Sequence, residues 1–450
     1  MKIVDLQYGK ESLKLNVPQS CDVLSAGECK PLLDTSEAVR LSLSKPINSA
    51  PLHKIAKGKK TAAVIVSDNT RPVPYKEPDG ILSPVIKILK QSGVDRIKII
   101  VACGTHRAMQ ETELRDMLGI AAFEDGVEVI NHIATDQSML KTIGSTNRTA
   151  CVSINTHYLN ADLKIATGLV EPHFMAGVSG GAKAICPGIS GLDVTYGFHS
   201  ASILNHKKAA SMVIKGNPCC EESRKIAEMA GIDFIVNVTL NSDKKITGVF
   251  SGQLQKAHTA AIEHLKTYVS IPLNHLYDIV ITQAGEVGVN HYQCAKAAVE
   301  ASRAVKRGGK IIMAGDLSDP DPVGNQNYKQ TQKLLAESGP KAFLEKILSD
   351  DWTFIPEQWQ SQMWIKVFMH LQDAKNLFTC APRLRTISDD LIPEVNVAAQ
   401  AQRTKGQSDK DFAQKMMQQT IDMCIEKNSP ENIAVLPDGP YAVPVLKNKS

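Results

Sequence analysis

The fold is decided by residues 61–106, which read TAAVIVSDNTRPVPYKEPDGILSPVIKILKQSGVDRIKIIVACGTH. An apolar run at 61–68 is followed by a stretch with helical spacing and a glycine stop at 84–93. A second apolar run follows at 96–106. Continuous apolar runs bounded by turns are typical of parallel strands that are covered on both faces. The stretch therefore predicts a strand–helix–strand unit of an α/β domain.

The same alternation continues along the chain. VEVINHI (127–133) and LKIATGLVEPH (163–173) predict further strands of the same sheet. A second series consists of the strand YDIVITQAG (277–285), the helix HYQCAKAAVEASRAVK (291–306) and the strand KIIMAG (310–315), which is a βαβ signature. We therefore predict two α/β domains with mainly parallel sheets and an active-site cleft between the domains.

The 450 residues suggest two to three domains at roughly 150 residues each. Because the pattern restarts at 265–275, we place an N-terminal domain over 1–268 and a C-terminal α/β domain over 269–425. The remaining segment, 426–450, is rich in proline and glycine. We predict that this tail crosses back over the surface.

Bulk composition excludes several classes of protein. Hydrophobic residues make up 43% and charged residues 22%, as in soluble globular proteins. The net charge is only +4 and no basic block is present, which disfavours nucleic acid as a partner. No apolar stretch reaches the roughly 18 residues of a membrane span, and the first residues lack the apolar core of a secretory signal. The ten cysteines form no C-x-x-C pair, which indicates reduced thiols in a cytoplasmic protein and argues against a thiolate zinc site.

Chemically capable side chains follow the carboxyl ends of the predicted strands: Asp68 and Arg71, then His106, then His173, and Gln283 in the second domain. Ligands of open α/β sheets bind at that edge. An arginine fork matches a carboxylate with two bonds, and a neutral imidazole can take or give a proton. The alternatives are an Asp–Arg pair that caps the next helix and histidines with structural roles.

The most informative loop is GLVEPHFMAGVSGGAKAICPGISG (168–191). Its closely spaced glycines are Gly177, Gly180 and Gly181. Glycines at this spacing let backbone N–H groups converge on an anion, and Lys183 adds an amine. The loop is not a Walker A motif because Ala184 replaces the hydroxyl residue, so ATP hydrolysis is disfavoured. The alternative is a structural glycine turn with a solvated lysine.

A third histidine, His199, lies in a predicted helix of the first domain. With His106 and His173 it offers imidazoles of the kind that bind nickel, zinc or copper. The chain has no HExxH spacing, so the pattern alone does not establish a metal. We interpret His206, seven residues after His199, as structural.

In the second domain, Tyr292, Gln293 and Lys296 open the predicted helix after a strand. Lys296 lies four residues after Tyr292, so the two side chains share a helix face and could reach an anion. The alternative is ordinary helix surface. Trp359 is a candidate pocket wall, and the other two tryptophans are predicted to lie in the core.

Taken together, these loops resemble the lactate racemase family. The matching motifs are D-N-T-R-P at 68–72, G-T-H at 104–106, E-P-H at 171–173, S-G-G-A-K at 179–183, F-H at 198–199, Y-Q-x-x-K at 292–296 and W-Q at 359–360. The resemblance spans nearly the whole chain. Its most specific part is E-P-H followed by a lysine ten residues later and by a histidine sixteen residues after that.

The resemblance implies a racemase or epimerase that inverts C2 of a 2-hydroxy acid through a 2-keto acid. Hydride would move to a nickel-pincer nucleotide, a nicotinate-derived mononucleotide that carries thioamide and thiocarboxylate groups and holds nickel. Lys183 would tether this cofactor through the thioamide, and His199 would bind the nickel. His106 and His173 would be the acid/base pair.

The resemblance also implies the remaining roles. The residues that would surround the substrate are Arg71, Tyr292, Gln293, Lys296 and Trp359. The residues that would approach the cofactor are Asp68, Gly177, Ser179, Gly180, Gly181 and Lys296. Asp68 would orient the cofactor or Arg71, and the glycines would reach the phosphate by their backbone. Proteins that make the cofactor would be partners for loading, and assembly into a homo-oligomer is left open.

The substrate stays open among lactate, malate, aromatic hydroxy acids and sugar acids, since pocket positions such as Met175 are free to vary. A rival hypothesis is a nicotinamide-dependent 2-hydroxy acid dehydrogenase, but the chain has no G-x-G-x-x-G between a strand and a helix. A non-catalytic protein that binds or delivers the nickel cofactor would have no need for both His106 and His173. A hydrolytic metalloenzyme is disfavoured by the missing carboxylate–histidine ligand set.

Overall fold

The computed structural model describes residues 1–428 and 430–447. By its internal contacts the chain forms two compact units. The first unit is Glu28–Tyr268, and the second comprises Met1–Gly27 together with the chain from Val269 onward. Residues 1–27, which the sequence grouped with the N-terminal domain, thus pack with the later part of the chain.

The elements alternate between strand and helix through most of the chain. The strands are β1 (Lys2–Tyr8), β2 (Glu11–Val17), β3 (Asp22–Val23), β4 (Thr61–Ser67), β5 (Arg96–Ala102), β6 (Val127–Asn131), β7 (Leu140–Gly144), β8 (Val152–Asn155), β9 (Leu163–Leu169), β10 (Pro172–His173), β11 (Gly177–Val178), β12 (Phe234–Leu240), β13 (Ile246–Gly252), β14 (Ser270–Leu273), β15 (Tyr277–Gln283), β16 (Val305–Ala314), β17 (Leu377–Cys380), β18 (Val395–Asn396), β19 (Ile433–Leu436) and β20 (Val443–Leu446). The helices are α1 (Thr35–Ser44), α2 (Leu52–Ala56), α3 (Leu82–Gln91), α4 (Glu111–Leu118), α5 (Thr156–Leu159), α6 (Leu192–Phe198), α7 (Ala201–Asn205), α8 (Pro218–Ala230), α9 (Leu254–Val269), α10 (His291–Ser302), α11 (Gln326–Ser338), α12 (Pro340–Ile347), α13 (Gln358–Leu371), α14 (Val397–Gln400) and α15 (Asp409–Asn428).

The first unit is built on a six-stranded sheet in the order β13-β12-β9-β4-β5-β6. All neighbours are parallel except β13, which pairs antiparallel with β12. The five inner residues of β4 are buried, as expected for a central strand covered on both faces. Helix α3 packs on this sheet with an apolar stripe at helical spacing. Its buried residues are Leu82, Val85, Ile86 and Leu89.

The second unit contains a parallel six-stranded sheet in the order β18-β17-β16-β15-β19-β3. The antiparallel hairpin β1–β2 and helix α15 bury their apolar sides in the same core as this sheet. Strand β19 lies between β15 and β3, and all four of its residues are buried. Residues 433–436 of the predicted surface tail are therefore an interior strand, because the IAVL run is apolar on both faces.

The structure confirms the predicted α/β class with mainly parallel sheets. The strands predicted from residues 61–68, 96–106, 127–133 and 163–173 are β4, β5, β6 and β9. Those predicted at 277–285 and 310–315 are β15 and the end of β16. In the described part of the chain, none of the helices combines the length and the apolarity needed to cross a membrane.

Candidate active site

The candidate site of the first unit lies at the carboxyl edge of its sheet. Strands β9, β4 and β5 are neighbours there, at a spacing of about 4.8 Å in a parallel sheet. The segments that leave these strands carry Glu171 and His173 after β9, Asp68 and Arg71 after β4, and His106 after β5. This edge therefore gathers most of the polar residues that the sequence singled out in the first domain.

Asp68 and His106 form a hydrogen-bonded pair, with 2.7 Å between Oδ2 and Nδ1. The second carboxylate oxygen of Asp68 accepts bonds from the backbone N–H and the hydroxyl of Thr70, at 3.2 and 2.6 Å. Burial raises the pKa of Asp68, but the bonds from His106 and Thr70 outweigh it and lower the pKa overall. An ionised carboxylate only accepts, so Nδ1 of His106 carries the proton and Nε2 carries the lone pair.

His173 has the opposite arrangement. Its Nδ1 accepts hydrogen bonds from the backbone N–H groups of Met175 and Ala176, both at 3.2 Å. The tight pair β10–β11, in which His173 lies opposite Gly177, brings these amides back to the ring. Since a backbone N–H can only donate, Nδ1 carries the lone pair and the neutral ring holds its proton on Nε2.

Arg71 is paired with Glu171, whose Oε1 accepts a hydrogen bond from the arginine Nη1. Both side chains are partly buried, with 27% and 20% exposed. The sequence predicts that Asp68 orients Arg71 or the cofactor. In the structure Asp68 bonds to His106 and Glu171 bonds to Arg71, and the role of Asp68 toward the cofactor stays a prediction. Glu171 belongs to the E-P-H motif but received no role from the sequence. Its position just after a predicted strand and two residues before His173 could have identified it as a site residue.

Lys183 lies in a short 3-10 turn, Gly181–Ala184, that follows the glycine pair. Its ammonium lies 4.8 Å from the centre of the Phe198 ring. Burial, reinforced by the positive charge of Arg71, lowers the pKa of Lys183 to about 8. A lysine with such a pKa holds an appreciable neutral fraction near pH 7, and the neutral amine is the nucleophilic form.

His199 lies directly after α6, which ends at Phe198. The sequence placed it within a helix, but the chain turns at Ser200 before α7 begins, so His199 caps α6. Its Nδ1 lies 2.8 Å from the carbonyl oxygen of Thr195. A carbonyl only accepts, so Nδ1 carries the proton and Nε2 carries the lone pair, which is the tautomer that a histidine ligand of a metal adopts when Nδ1 bonds to a carbonyl. Burial, together with the charge of Lys183, lowers the pKa of His199 to about 3 and keeps the ring neutral.

The glycine turn is explained by packing. A Cβ on Gly177 would lie 2.4 Å from the carbonyl oxygen of Val213, and one on Gly181 would lie 2.6 Å from Nδ1 of His258. Both glycines have positive φ, of 81° and 53°. A Cβ added to Gly180, which is also at positive φ, would lie 2.9 Å from a methyl group of Val170.

Three backbone donors of this turn are bonded within the protein. The N–H of Ser179 donates to the Glu171 carbonyl at 3.0 Å, that of Gly181 to Asn237 Oδ1 at 3.0 Å, and that of Lys183 to the carbonyl preceding Gly181 at 3.1 Å. The phosphate-binding role predicted for Gly177, Gly180 and Gly181 stays a prediction. Two side chains contact this turn, Asn237 of β12 at the N–H of Gly181 and His258 of α9 at the carbonyl oxygen of Ser179. Neither residue lies in a motif, and the sequence analysis did not identify them.

In the second unit, Tyr292, Gln293 and Lys296 lie in the first turns of α10, the helix after β15. Asn290 caps this helix by accepting a bond from the Gln293 N–H at 3.0 Å. The side-chain oxygen of Gln293 is buried and accepts no hydrogen bond from the described residues. Trp359 is only 5% exposed and stacks on a phenylalanine ring.

A buried polar network fixes the start of α10. The two nitrogens of the fully buried His291 lie 2.6 Å from the Tyr328 hydroxyl and 2.8 Å from Glu394 Oε1. The Trp364 indole donates to the same hydroxyl at 2.8 Å. Because Glu394 bonds to His291, the first residue of α10, the network ties this helix to the segment that precedes β18. The sequence gave no sign of it, since its members come from separate elements.

Within residues 1–428 and 430–447, no group of three or more histidine, cysteine, aspartate or glutamate side chains is placed to hold a metal ion.

The chain matches the family model of the lactate racemase N-terminal domain over residues 8–211 and that of the lactate racemase C-terminal domain over residues 274–390. The lactate racemase of Lactiplantibacillus plantarum is 32% identical over 381 residues, covering 82% of this chain and 87% of that protein.

A second relative is the lactate racemase of Thermoanaerobacterium thermosaccharolyticum, which is 30% identical over 413 residues and covers 88% of this chain and 94% of that protein. The solved structure of the lactate racemase apoprotein from the same organism matches with a TM-score of 0.82 and 27% identity, over 99% of this chain and 100% of that chain. A protein from Thermotoga maritima matches with a TM-score of 0.65 and 17% identity, over 93% and 99% of the two chains, and is similar in fold alone.

Proposed function

This chain belongs to the lactate racemase family of isomerases, and we propose that it inverts C2 of a 2-hydroxy acid through a 2-keto acid intermediate. One observation carries the proposal. The carboxyl edge of one sheet holds an imidazole oriented by a buried carboxylate, a second imidazole and an arginine, namely His106 on Asp68, His173 and Arg71. The hydroxyl of a 2-hydroxy acid can bond to an imidazole, and its carboxylate can bond to the arginine.

The chemistry follows from the substrate. The hydrogen on C2 of a 2-hydroxy acid is weakly acidic, so direct proton removal is difficult. Loss of the hydroxyl proton together with hydride from C2 gives a planar keto acid, and return of hydride to the other face gives the opposite configuration. The Nε2 lone pair of His106 can accept the hydroxyl proton. The fork of Arg71 can hold the carboxylate while the planar intermediate reorients.

We propose that a nickel-pincer nucleotide supplies the hydride acceptor when it is bound. The residues present fit such a group. Lys183 offers an amine whose pKa is lowered to about 8 for a covalent tether, and His199 offers a neutral imidazole with its lone pair on Nε2 for nickel. In the second unit, the role of Gln293, whose buried side-chain oxygen accepts no hydrogen bond from the described residues, stays a prediction. The glycine turn would serve the cofactor by holding Lys183, and the approach of its N–H groups to the phosphate stays a prediction.

The roles of Tyr292, Lys296 and Trp359 toward the substrate stay predictions. The relatives are named for lactate, so lactate is the first 2-hydroxy acid to test. The ten cysteines are all unpaired, which supports the predicted cytoplasmic location.

The experiment is production of the protein together with cofactor-biosynthesis proteins, followed by incubation with enantiopure 2-hydroxy acids and chiral chromatography. We expect conversion of either enantiomer toward the racemate, with the cofactor mass found on the peptide that contains Lys183. Oxidation that consumes added NAD without inversion would contradict the proposal.

Two variants separate the cofactor roles. Lys183→Ala should lack the covalent cofactor mass in intact-protein mass spectrometry, and full mass on this variant would refute the tether. His199→Ala should keep the tether but lose nickel in elemental analysis. His206→Ala is the matched control, because this histidine lies outside the described site, and it should retain both.

A further inference from the structure

We propose that the buried side chains of His291, Tyr328 and Glu394 are positioning residues for substrate binding. They hold helix α10 against helix α13, so that the residues predicted to contact the 2-hydroxy acid keep a fixed spacing. This inference rests on the proposed function and deepens it, because it adds three residues that lie outside the motifs of the site.

The first turns of α10 have two faces with different surroundings. Successive residues of a helix are rotated by about 100°, so Tyr292, Gln293 and Lys296 lie on one side. His291 lies on the opposite side. The first three residues are half-buried, whereas His291 is fully buried. Bonds to the His291 ring therefore fix the rotation of the helix without occupying the face of the predicted substrate residues.

One hydroxyl group connects α10 to α13. The Tyr328 oxygen accepts a hydrogen bond from the indole N–H of Trp364 at 2.8 Å and lies 2.6 Å from Nδ1 of His291. The rings of Trp364 and His291 also stack, with their centres 4.6 Å apart and their planes at 16°. Trp359, the predicted pocket wall, lies on the same helix as Trp364. The network thus links the two helices that carry the predicted substrate residues of the second unit.

Glu394 anchors this network to the sheet. Burial raises the pKa of Glu394, but its interactions with His291 and Thr379 outweigh burial and lower the pKa overall. An ionised carboxylate only accepts, so Nε2 of His291 donates to Oε1 at 2.8 Å. The same oxygen accepts a bond from the Thr379 hydroxyl of β17 at 3.0 Å. Because Glu394 directly precedes β18, these bonds tie α10 to two neighbouring strands.

The network is better suited to giving direction than to adding stability. A buried ion pair adds little net stability, because the loss of hydration offsets the attraction between its members. Oε2 of Glu394 is buried and accepts no hydrogen bond from the described residues, which increases this cost. Hydrogen bonds require defined angles, whereas apolar contacts do not. We infer that the polar chain is present because it holds α10 in one orientation.

The first test measures the order of α10 without any turnover. Tyr328→Phe removes the hydroxyl that bridges the two helices and leaves the ring in place. In full-length protein we expect hydrogen exchange, read by mass spectrometry, to become about fivefold faster in peptides that cover α10. Peptides from Glu28–Tyr268 should exchange as in the wild type. Unchanged exchange in α10 would overturn the proposal.

The second test compares substrate binding by cofactor-loaded protein, with rates counted per tethered cofactor. Glu394→Leu removes the acceptor for His291, whereas Glu394→Gln keeps a carbonyl oxygen in its place. Tyr328→Phe and Glu394→Leu should raise KM by about 3- to 10-fold for lactate, or for the 2-hydroxy acid that the wild type inverts fastest. Glu394→Gln should stay closer to the wild-type KM. Where Glu394→Leu does not fold, Tyr328→Phe decides alone.

Met416→Ala is the matched control, because Met416 is fully buried in the core of the same unit and lies outside the network. It should lower the free energy of unfolding and leave KM unchanged, as a change with a merely structural effect does. An unchanged KM in the network variants would overturn the positioning role, whatever happens to kcat. If loaded wild-type protein inverts no 2-hydroxy acid, the proposed function fails, and hydrogen exchange still decides whether the network holds α10.

Discussion

Replacement of Lys183 by methionine should stabilise the cofactor-free protein, by an amount that depends on pH. The pKa of Lys183 is lowered from 10.5 to about 8 by burial and by Arg71. At pH 7 the folded protein must therefore hold an ammonium ion in a site that disfavours it. The shift of 10.5 − 8 = 2.5 corresponds to as much as about 3 kcal/mol at 1.36 kcal/mol for each pKa unit.

The sign follows from proton binding. Between pH 8 and pH 10.5 the unfolded wild-type chain holds a proton that the folded state lacks, so wild-type stability rises with pH in this window. The advantage of Lys183→Met should then fall by about 2 kcal/mol between pH 7 and pH 10. Urea unfolding of both proteins at a series of pH values measures this difference, and groups that titrate in both proteins cancel. A difference that stays constant with pH would refute the idea that the site destabilises the charged amine.

Other substitutions test the geometry of the site. In Asp68→Asn the two donors of Thr70 should bond to the amide oxygen, so that the NH₂ group turns toward His106. This contact would move the proton of the His106 ring to Nε2. We expect kcat to fall by about 10²- to 10⁴-fold with little change in KM. A wild-type kcat would show that the Asp68 contact is not needed. Gly181→Ala, which adds a Cβ 2.6 Å from an imidazole nitrogen at positive φ, should lower the free energy of unfolding by about 2–5 kcal/mol. Gly58→Ala, also at positive φ but with nothing within 4 Å of the added Cβ, should cost about 1–2 kcal/mol in the same denaturant titration, and equal losses would rule out the clash.

The sequence could predict the sheets because burial on both faces leaves a local signature. The run TAAVIVS becomes β4, whose inner residues are all buried, and the residues that follow it reach the site. The ends of such runs also locate the carboxyl edge, so Asp68, His106 and His173 could be placed on one edge before their contacts were known. These predictions depend only on a few neighbouring residues in the chain.

Partners that come from distant elements left no such signature. Glu171 bonds to a side chain 100 residues earlier, and His258 supports the glycine turn from a helix 79 residues after Ser179. Glycines at 177, 180 and 181 predict an anion site, which stays a prediction, and the structure adds that the same residues are required for close packing within the protein. A pattern of glycines indicates that there is no room for a Cβ at these positions. It does not indicate whether the neighbouring atom belongs to a ligand or to the protein.

Strand β3, near the start of the chain, pairs with β19, near its end, through Asp22 with Ala434 and Val23 with Val435. This pairing has a consequence for synthesis on the ribosome. Strand β3 is made long before its hydrogen-bonding partner β19 emerges, whereas Glu28–Tyr268 can complete its own contacts before β19 is made. Until then the β1–β2 hairpin keeps an uncovered apolar side, which exposes this segment to aggregation and to binding by chaperones.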